Sequence, residues 1–124
     1  PPMNLISTKI EHGKACIGGI ELDLSKVMDG ELLDKYEGKG IVFGFRPEAI
    51  VGGTSADAYV LDASVELTEL LGDNTNVYVD MGKDKAILKV DPREAPKMDE
   101  RYTFSIPYAS VYVFDKETGN TIRG

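Results

Sequence analysis

Apolar positions recur along most of this chain with the two-residue period of half-buried strands. Leu5 to Ile10 and Ala15 to Leu24 mix β-branched with other apolar residues, and His12-Gly13-Lys14 between them is a turn sequence. The period then changes. Met28, Leu32, Leu33 and Tyr36 fall at spacings of three and four, with Asp29 placed to cap a helix and Gly38 placed to end it, which predicts one short helix over 29–38. Ile41 to Phe45 reads as a buried strand stopped by Pro47, whose ring holds Arg46 extended and removes a backbone donor.

Pro47-Glu48 turns the chain, and the small, polar Gly52-Gly53-Thr54-Ser55-Ala56-Asp57 is expected to be a mobile loop. Alternation then resumes. Ala63, Val65 and Leu67 share one face against Ser64, Glu66 and Thr68, and after Gly72-Asp73-Asn74 the residues Thr75, Val77, Val79 and Met81 oppose Asn76, Tyr78 and Asp80. These are two strands of a hairpin. Gly82-Lys83-Asp84 is the next turn, Lys85 to Val90 the next strand, and Tyr102, Phe104 and Ile106 mark another beyond the proline-flanked stretch 92–96. Val111 to Phe114 closes the series. Many short strands with one short helix predict a mainly β fold, a small barrel of the oligonucleotide-binding type.

Composition adds to this. A chain of 124 residues buries roughly two thirds of its unfolded surface, so one self-folding domain over 1–124 is expected without disulfide or metal staples. No apolar run approaches the ~20 residues of a membrane span, and no secretory signal opens the chain. The 14 Lys and Arg stand against 21 Asp and Glu, a net charge of -7. That balance, with no basic cluster in sequence, argues against nucleic acid and anionic lipid as partners. The single Cys16 excludes an intramolecular disulfide, and its place between Ala15 and Ile17 predicts a buried, inert thiol.

Candidate chemistry is mostly excluded. Gly-Lys pairs at 13–14, 38–39 and 82–83 lack the earlier glycine and the following Ser or Thr of a phosphate-binding loop. His12 is the only histidine and sits in a turn, so it builds no two-histidine metal site. The acidic groups at Asp73, Asp91 to Glu94, Asp99 to Arg101 and Asp115 to Asn120 read as solvated turns without calcium-loop spacing. No catalytic, metal or cofactor-binding residue is assigned to this chain. Tyr112 and Phe114 lie on one side of the last strand and Val111 and Val113 on the other, so both faces are apolar and a subunit contact is expected.

Several segments together resemble one family. Pro1-Pro2-Met3-Asn4, Gly44-Phe45-Arg46-Pro47-Glu48, Glu69-Leu70-Leu71-Gly72-Asp73, and Phe114-Asp115 with Thr118-Gly119 are similar, in order and spacing, to the C-terminal regulatory domain of ATP-binding subunits from maltose and multiple-sugar ABC importers. The residues matching the family pattern are Pro2, Met3, Asn4, Gly44, Arg46, Pro47, Glu48, Glu69, Gly72, Phe114, Asp115 and Gly119, and the Arg-Pro-Glu element is the most specific. Phe45 departs from it, standing where the family usually has a smaller aliphatic residue.

The resemblance implies a transport-associated barrel that follows an ATPase domain absent from this chain, with Pro-Pro-Met-Asn at the junction and structural roles for the matching residues. It implies no enzymatic activity here, since ATP and magnesium belong to the ATPase domain. The implied partners are a second copy of the domain, the transporter membrane subunits reached through the ATPase, and a cytosolic regulatory protein. The implied place is the cytoplasmic face of the membrane. The alternative is a small-ligand sensor, because related transport-associated domains bind oxyanions.

Overall fold

In chain order the protein, seen in a computed structural model that describes residues 2–124, is built of strands β1 (Asn4–Lys9), β2 (Lys14–Ile17) and β3 (Ile20–Asp23), helix α1 (Gly30–Tyr36), and strands β4 (Gly40–Phe45), β5 (Val51–Gly52), β6 (Ala58–Leu71), β7 (Asn74–Asp80), β8 (Lys85–Val90), β9 (Arg101–Pro107), β10 (Tyr112–Asp115) and β11 (Thr121–Arg123). They form a four-stranded sheet of order β1-β4-β10-β11, a five-stranded sheet of order β5-β9-β6-β7-β8, and the β2-β3 hairpin, with antiparallel pairing throughout. The inner faces meet in one core containing Ile6, Phe43, Val113, Leu61, Val77, Leu88 and Phe104. This is the mainly β, small barrel-like fold of the oligonucleotide-binding type, with one short helix.

The helix starts where expected. The Asp29 carboxylate accepts from the Leu32 N–H at 2.9 Å, satisfying a donor that the first turn leaves free. The chain leaves it through Gly38 at φ +78°, and the Gly38 N–H donates to the Ile10 carbonyl at 2.7 Å. Tyr36 is its buried residue, and Leu32 and Leu33 pack against the core from partly covered positions.

Five details differ from the sequence pattern. The segment Ala15 to Leu24 is two strands, because Gly18 and Gly19 at φ +58° and +80° turn the chain back on itself. Gly18 also admits no side chain, since a Cβ would lie 2.6 Å from the Met81 Cβ. Cys16 is exposed, not buried: in the short β2 it is Ala15 and Ile17 that point inward, and Cys16 alternates outward. Leu67 leaves the face of Ala63 and Val65. Val65 pairs with Val79 and Leu67 with Tyr78, so Glu66 is an extra residue in the strand, and the bulge reverses the alternation beyond it and leaves Leu67 47% exposed.

The segment 52–57 is tied down along its length. Gly52 belongs to β5, the Gly53 N–H donates to the Thr103 carbonyl at 2.8 Å, and the buried Ser105 hydroxyl donates to the Gly53 carbonyl at 2.6 Å while accepting from the Ser55 N–H at 3.0 Å. Lastly, β10 does not close the series. β11 returns beside it and carries Arg123, whose guanidinium donates to the carbonyls of Val111, Val27 and Tyr108 at 3.2, 3.1 and 2.9 Å.

Candidate functional site

The four-stranded sheet has a buried inner face and an apolar outer one. Register places Leu5, Gly44 and Tyr112 in one cross-strand row and Ser7, Val42 and Phe114 in the next. Gly44 is the floor of this face. A Cβ there would lie 2.8 Å from the Met3 sulfur, 3.2 Å from Phe114 Cε2 and 3.3 Å from Leu5 Cδ2, so only glycine lets the three side chains converge over the backbone. Tyr112 and Phe114 lie nearly parallel, with centroids 6.2 Å apart and planes 8° apart, and the Arg46 guanidinium stands 5.6 Å from the Tyr112 centroid. Leu5 is 60% exposed. Met3, Leu5, Val42 and Phe114, with Asp115, Lys116 and Gly119, line a groove of about 420 Å³ on this surface.

Hydrogen bonds fix the ends of the face. The Asn4 side-chain amide donates to the Ile87 carbonyl and accepts from the Ile87 N–H, both at 2.9 Å, so it pairs with the outer edge of β8 as a further strand would. At the opposite end the Asp115 carboxylate accepts from the backbone N–H groups of Thr118 at 3.1 Å and Glu117 at 2.9 Å and from the Tyr36 hydroxyl at 3.1 Å. The Thr118 backbone, with Tyr36 and Glu117, holds its carboxyl below the usual carboxylate range, while desolvation and then Asp115 push the Tyr36 hydroxyl up. The Gly119 N–H closes the turn on the Asp115 carbonyl at 2.7 Å, with Gly119 at φ +78°.

The structure therefore gathers Met3, Gly44, Arg46, Phe114, Asp115 and Gly119 on or beside one face. Pro2 is exposed next to it, Asn4 reaches from β1 to the five-stranded sheet, and Pro47 is buried as the first residue of the 3-10 turn Pro47–Ala49, with Glu48 exposed on that turn. Glu69 and Gly72 are elsewhere. Glu69 accepts from the Tyr78 hydroxyl at 3.3 Å on the β6-β7 hairpin, and Gly72 makes the turn of that hairpin at φ +59°. Sequence reasoning missed Leu5 and Val42, which read as ordinary strand residues; the signal that marks them is their register opposite Gly44 and Phe114.

Among the described residues no three His, Cys, Asp or Glu side chains gather to hold a metal ion. His12 caps the β1-β2 turn at φ +55°, where its N–H and that of Gly13 donate to Glu37 at 2.6 and 3.1 Å. Those two bonds hold the Glu37 carboxyl below its ordinary value. Burial raises the Tyr59 phenol, which donates to the Asp23 carbonyl at 2.6 Å and packs edge-on to Tyr108. No described helix is long and apolar enough to cross a membrane.

Comparison with known proteins agrees with this architecture. Residues 1–50 match the family profile described as the MalK OB fold domain, and residues 43–114 match that of the TOBE domain. The multiple sugar-binding transport ATP-binding protein MsmK of Streptococcus mutans is 32% identical over 130 residues, covering 99% of this chain and 34% of the relative. The oligosaccharides import ATP-binding protein MsmX of Bacillus subtilis is 28% identical over 128 residues, covering 99% and 35%. The chain thus spans about a third of the length of the curated relatives it matches. Among solved structures, the cytoplasmic molybdate-binding protein ModG superposes with a TM-score of 0.61 at 15% identity, covering 90% of this chain and 94% of that one.

Proposed function

The chain belongs to the TOBE-domain family, joined to a MalK-type OB fold, and on that basis we propose that it is the non-catalytic regulatory and dimerisation domain of a carbohydrate importer's ATP-binding subunit. In this reading residues 1–124 follow an ATPase domain that binds ATP and magnesium and contacts the membrane subunits at the cytoplasmic face. The observation that carries the dimerisation reading is the outer apolar face around Gly44, with Leu5 60% exposed beside Val42 and Phe114. A second copy covers it. This surface is backed by a four-stranded sheet, whereas the exposed Leu67, Leu70 and Leu71 sit toward the turn of the β6-β7 hairpin.

The mechanism is mechanical. A regulatory pair that stays together while the ATPases open keeps them at an effective concentration in the millimolar range, so closure needs no new encounter. A cytosolic protein that binds the pair controls transport by as much as its affinity differs between the open and closed states. The matching residues then hold this surface in place: Asn4 and Asp115 brace its ends and Gly44 lets it close over the strands.

Sedimentation equilibrium of the chain tests the proposal. A dimer is expected at high micromolar concentration, strengthened by added salt because the pair carries 2 × -7 = -14. Burying one Leu stabilises by roughly 1.5–3 kcal/mol, so Leu5→Glu weakens association at least about tenfold. Leu70→Glu on the hairpin leaves it unchanged. A strict monomer, or equal losses in the two variants, removes this face as the interface.

A further inference from the structure

The acidic chain carries one cleft of the opposite sign. Lys9 at the end of β1, Lys83 in the β7-β8 turn and Lys116 in the β10-β11 turn converge on a cavity of about 420 Å³ that also takes in Ser7, Cys16 and Asp84. Three ammonium groups against one carboxylate leave 3 - 1 = +2 in the lining, within a chain of net -7. Among the described residues neither Lys83 nor Lys116 has an ion-pair partner, and Lys9 meets Glu11 only at 4.0 Å. Charges of one sign that line one cleft raise the potential there and draw small anions toward it.

The segments that carry these lysines are braced. The Asp84 carboxylate is occupied by the Gly18 N–H at 2.8 Å, and the Met81 N–H donates to the Asp84 carbonyl at 2.8 Å, which fixes the turn bearing Lys83. Lys116 follows the knot at Asp115, and its stem lies over Gly40, where an added Cβ would be 3.1 Å from Lys116 Cδ. Thr8 donates to the Cys16 carbonyl at 2.9 Å, joining β1 to β2 along one wall. The hydroxyl proton of Thr8 is thereby committed, and Ser7 with the three ammonium groups remains to donate to a ligand.

From this convergence we propose that the cleft is a binding site for a soluble phosphate monoester, a ligand distinct from the second copy of the domain. Lysine ammonium groups act on phosphate oxygens as strong, geometrically tolerant point charges, and a dianion matches the local excess of +2. The lining contains no aromatic or large apolar side chain, so an apolar ligand gains little there. The volume, within the range of small-molecule sites, exceeds what a bare oxyanion fills and leaves room for an attached organic group. The cleft lies further along the outer face that carries the groove at Met3 and Leu5, since Ser7 and Lys9 follow Leu5 at alternate positions of β1, and Lys116 lines both.

An amide NMR titration of the intact chain tests this, using inorganic phosphate, glycerol phosphate and phosphatidylglycerol vesicles in turn, with chloride holding ionic strength constant. Saturable shifts centred on residues 7–9, 83–84 and 116 are expected with glycerol phosphate at a dissociation constant of ~1 mM or tighter, and weaker ones with inorganic phosphate. The double variant Lys83→Ala, Lys116→Ala loses two charge-assisted contacts and binds at least about tenfold more weakly. The double variant Lys26→Ala, Lys97→Ala removes the same charge elsewhere and binds as the parent does. A linear response to glycerol phosphate, equal weakening in the two variants, or binding to vesicles alone overturns the proposal, whether or not the chain dimerises.

Discussion

Replacing Asn4 by Ala removes a side chain that pairs with the edge of β8. Its amide makes two bonds with Ile87, donor and acceptor both at 2.9 Å, across 83 residues of chain. Net values of about 0.5–1.5 kcal/mol per bond put the loss at roughly 1–3 kcal/mol, and the part-buried Ile87 groups left without a partner move it toward the upper end. At this chain length a kcal/mol shifts the melting temperature by about 3–5 °C, so a drop of at least ~3 °C is expected with an unchanged denaturant m-value. Asn4→Asp separates donor from acceptor. Its carboxylate still accepts from the Ile87 N–H but sets a negative oxygen against the Ile87 carbonyl, which raises its folded pKa above the unfolded one. The variant is therefore weakest at neutral pH and recovers relative to the parent as pH falls through that raised pKa, where the acid donates as the amide did. Thermal unfolding of both variants at pH 7 and about 4.5 measures this. A change below ~0.5 kcal/mol in Asn4→Ala, or no pH difference for Asn4→Asp, would falsify the strand-like role of the side chain.

Two further perturbations probe other braces. Arg123→Ala leaves the carbonyls of Val111, Val27 and Tyr108 without their donor and lowers stability by about 2–4 kcal/mol in urea titration; Arg123→Lys restores little, since one ammonium cannot match a three-way fork. Values under ~0.5 kcal/mol for Arg123→Ala would show that water replaces the guanidinium. The carboxylates set the acid limb. Arg93 holds Asp91 at about 2 against the ordinary 3.8, and Asp23, Glu37 and Asp115 are also lowered. Because the unfolded groups take up protons first, their contribution is complete above the ordinary values and is lost as pH falls through the depressed ones. The urea midpoint is expected to hold from pH 7 to about 5 and to fall below about 4, with a shallower fall in Asp115→Asn; a midpoint rising on acidification contradicts the assignment.

The strand pattern was legible because most of this fold alternates strictly. Thr75, Val77, Val79 and Met81 all face the core, and Lys85–Val90 is a strand over the expected residues. The exceptions share a cause: they depend on where an alternation starts or is interrupted. One extra residue at Glu66 turns Leu67 outward, and nothing in the local composition marks the bulge, which is visible only in the partner strand's register. The apolar neighbours of Cys16 point to the core, yet a four-residue strand has only two inward positions and Ala15 and Ile17 take them. The polar segment 52–57 satisfies its backbone through Thr103 and Ser105, about 50 residues away in sequence, a pairing that no local signal announces.

The same distinction governs the surfaces. Residues resembling the family pattern are readable one at a time, but their roles divide only in three dimensions. Asn4 and Asp115 spend their polar atoms on backbone groups, so substitution there acts first through stability. Gly44 contributes an absence, the missing Cβ beneath Met3, Leu5 and Phe114, and a larger residue would lift the apolar face without removing any contact that a sequence displays. The basic cleft is less legible still. Lys9, Lys83 and Lys116 are spaced by 74 and 33 residues, so a search for charge clusters along the chain passes over them, and the overall balance of -7 points away from anions. Net charge governs approach from a distance beyond a Debye length of about 8 Å, whereas a cleft is governed by the few charges that line it. An acidic chain can thus repel nucleic acid and still hold one small phosphate, because the two outcomes depend on different numbers of charges at different distances.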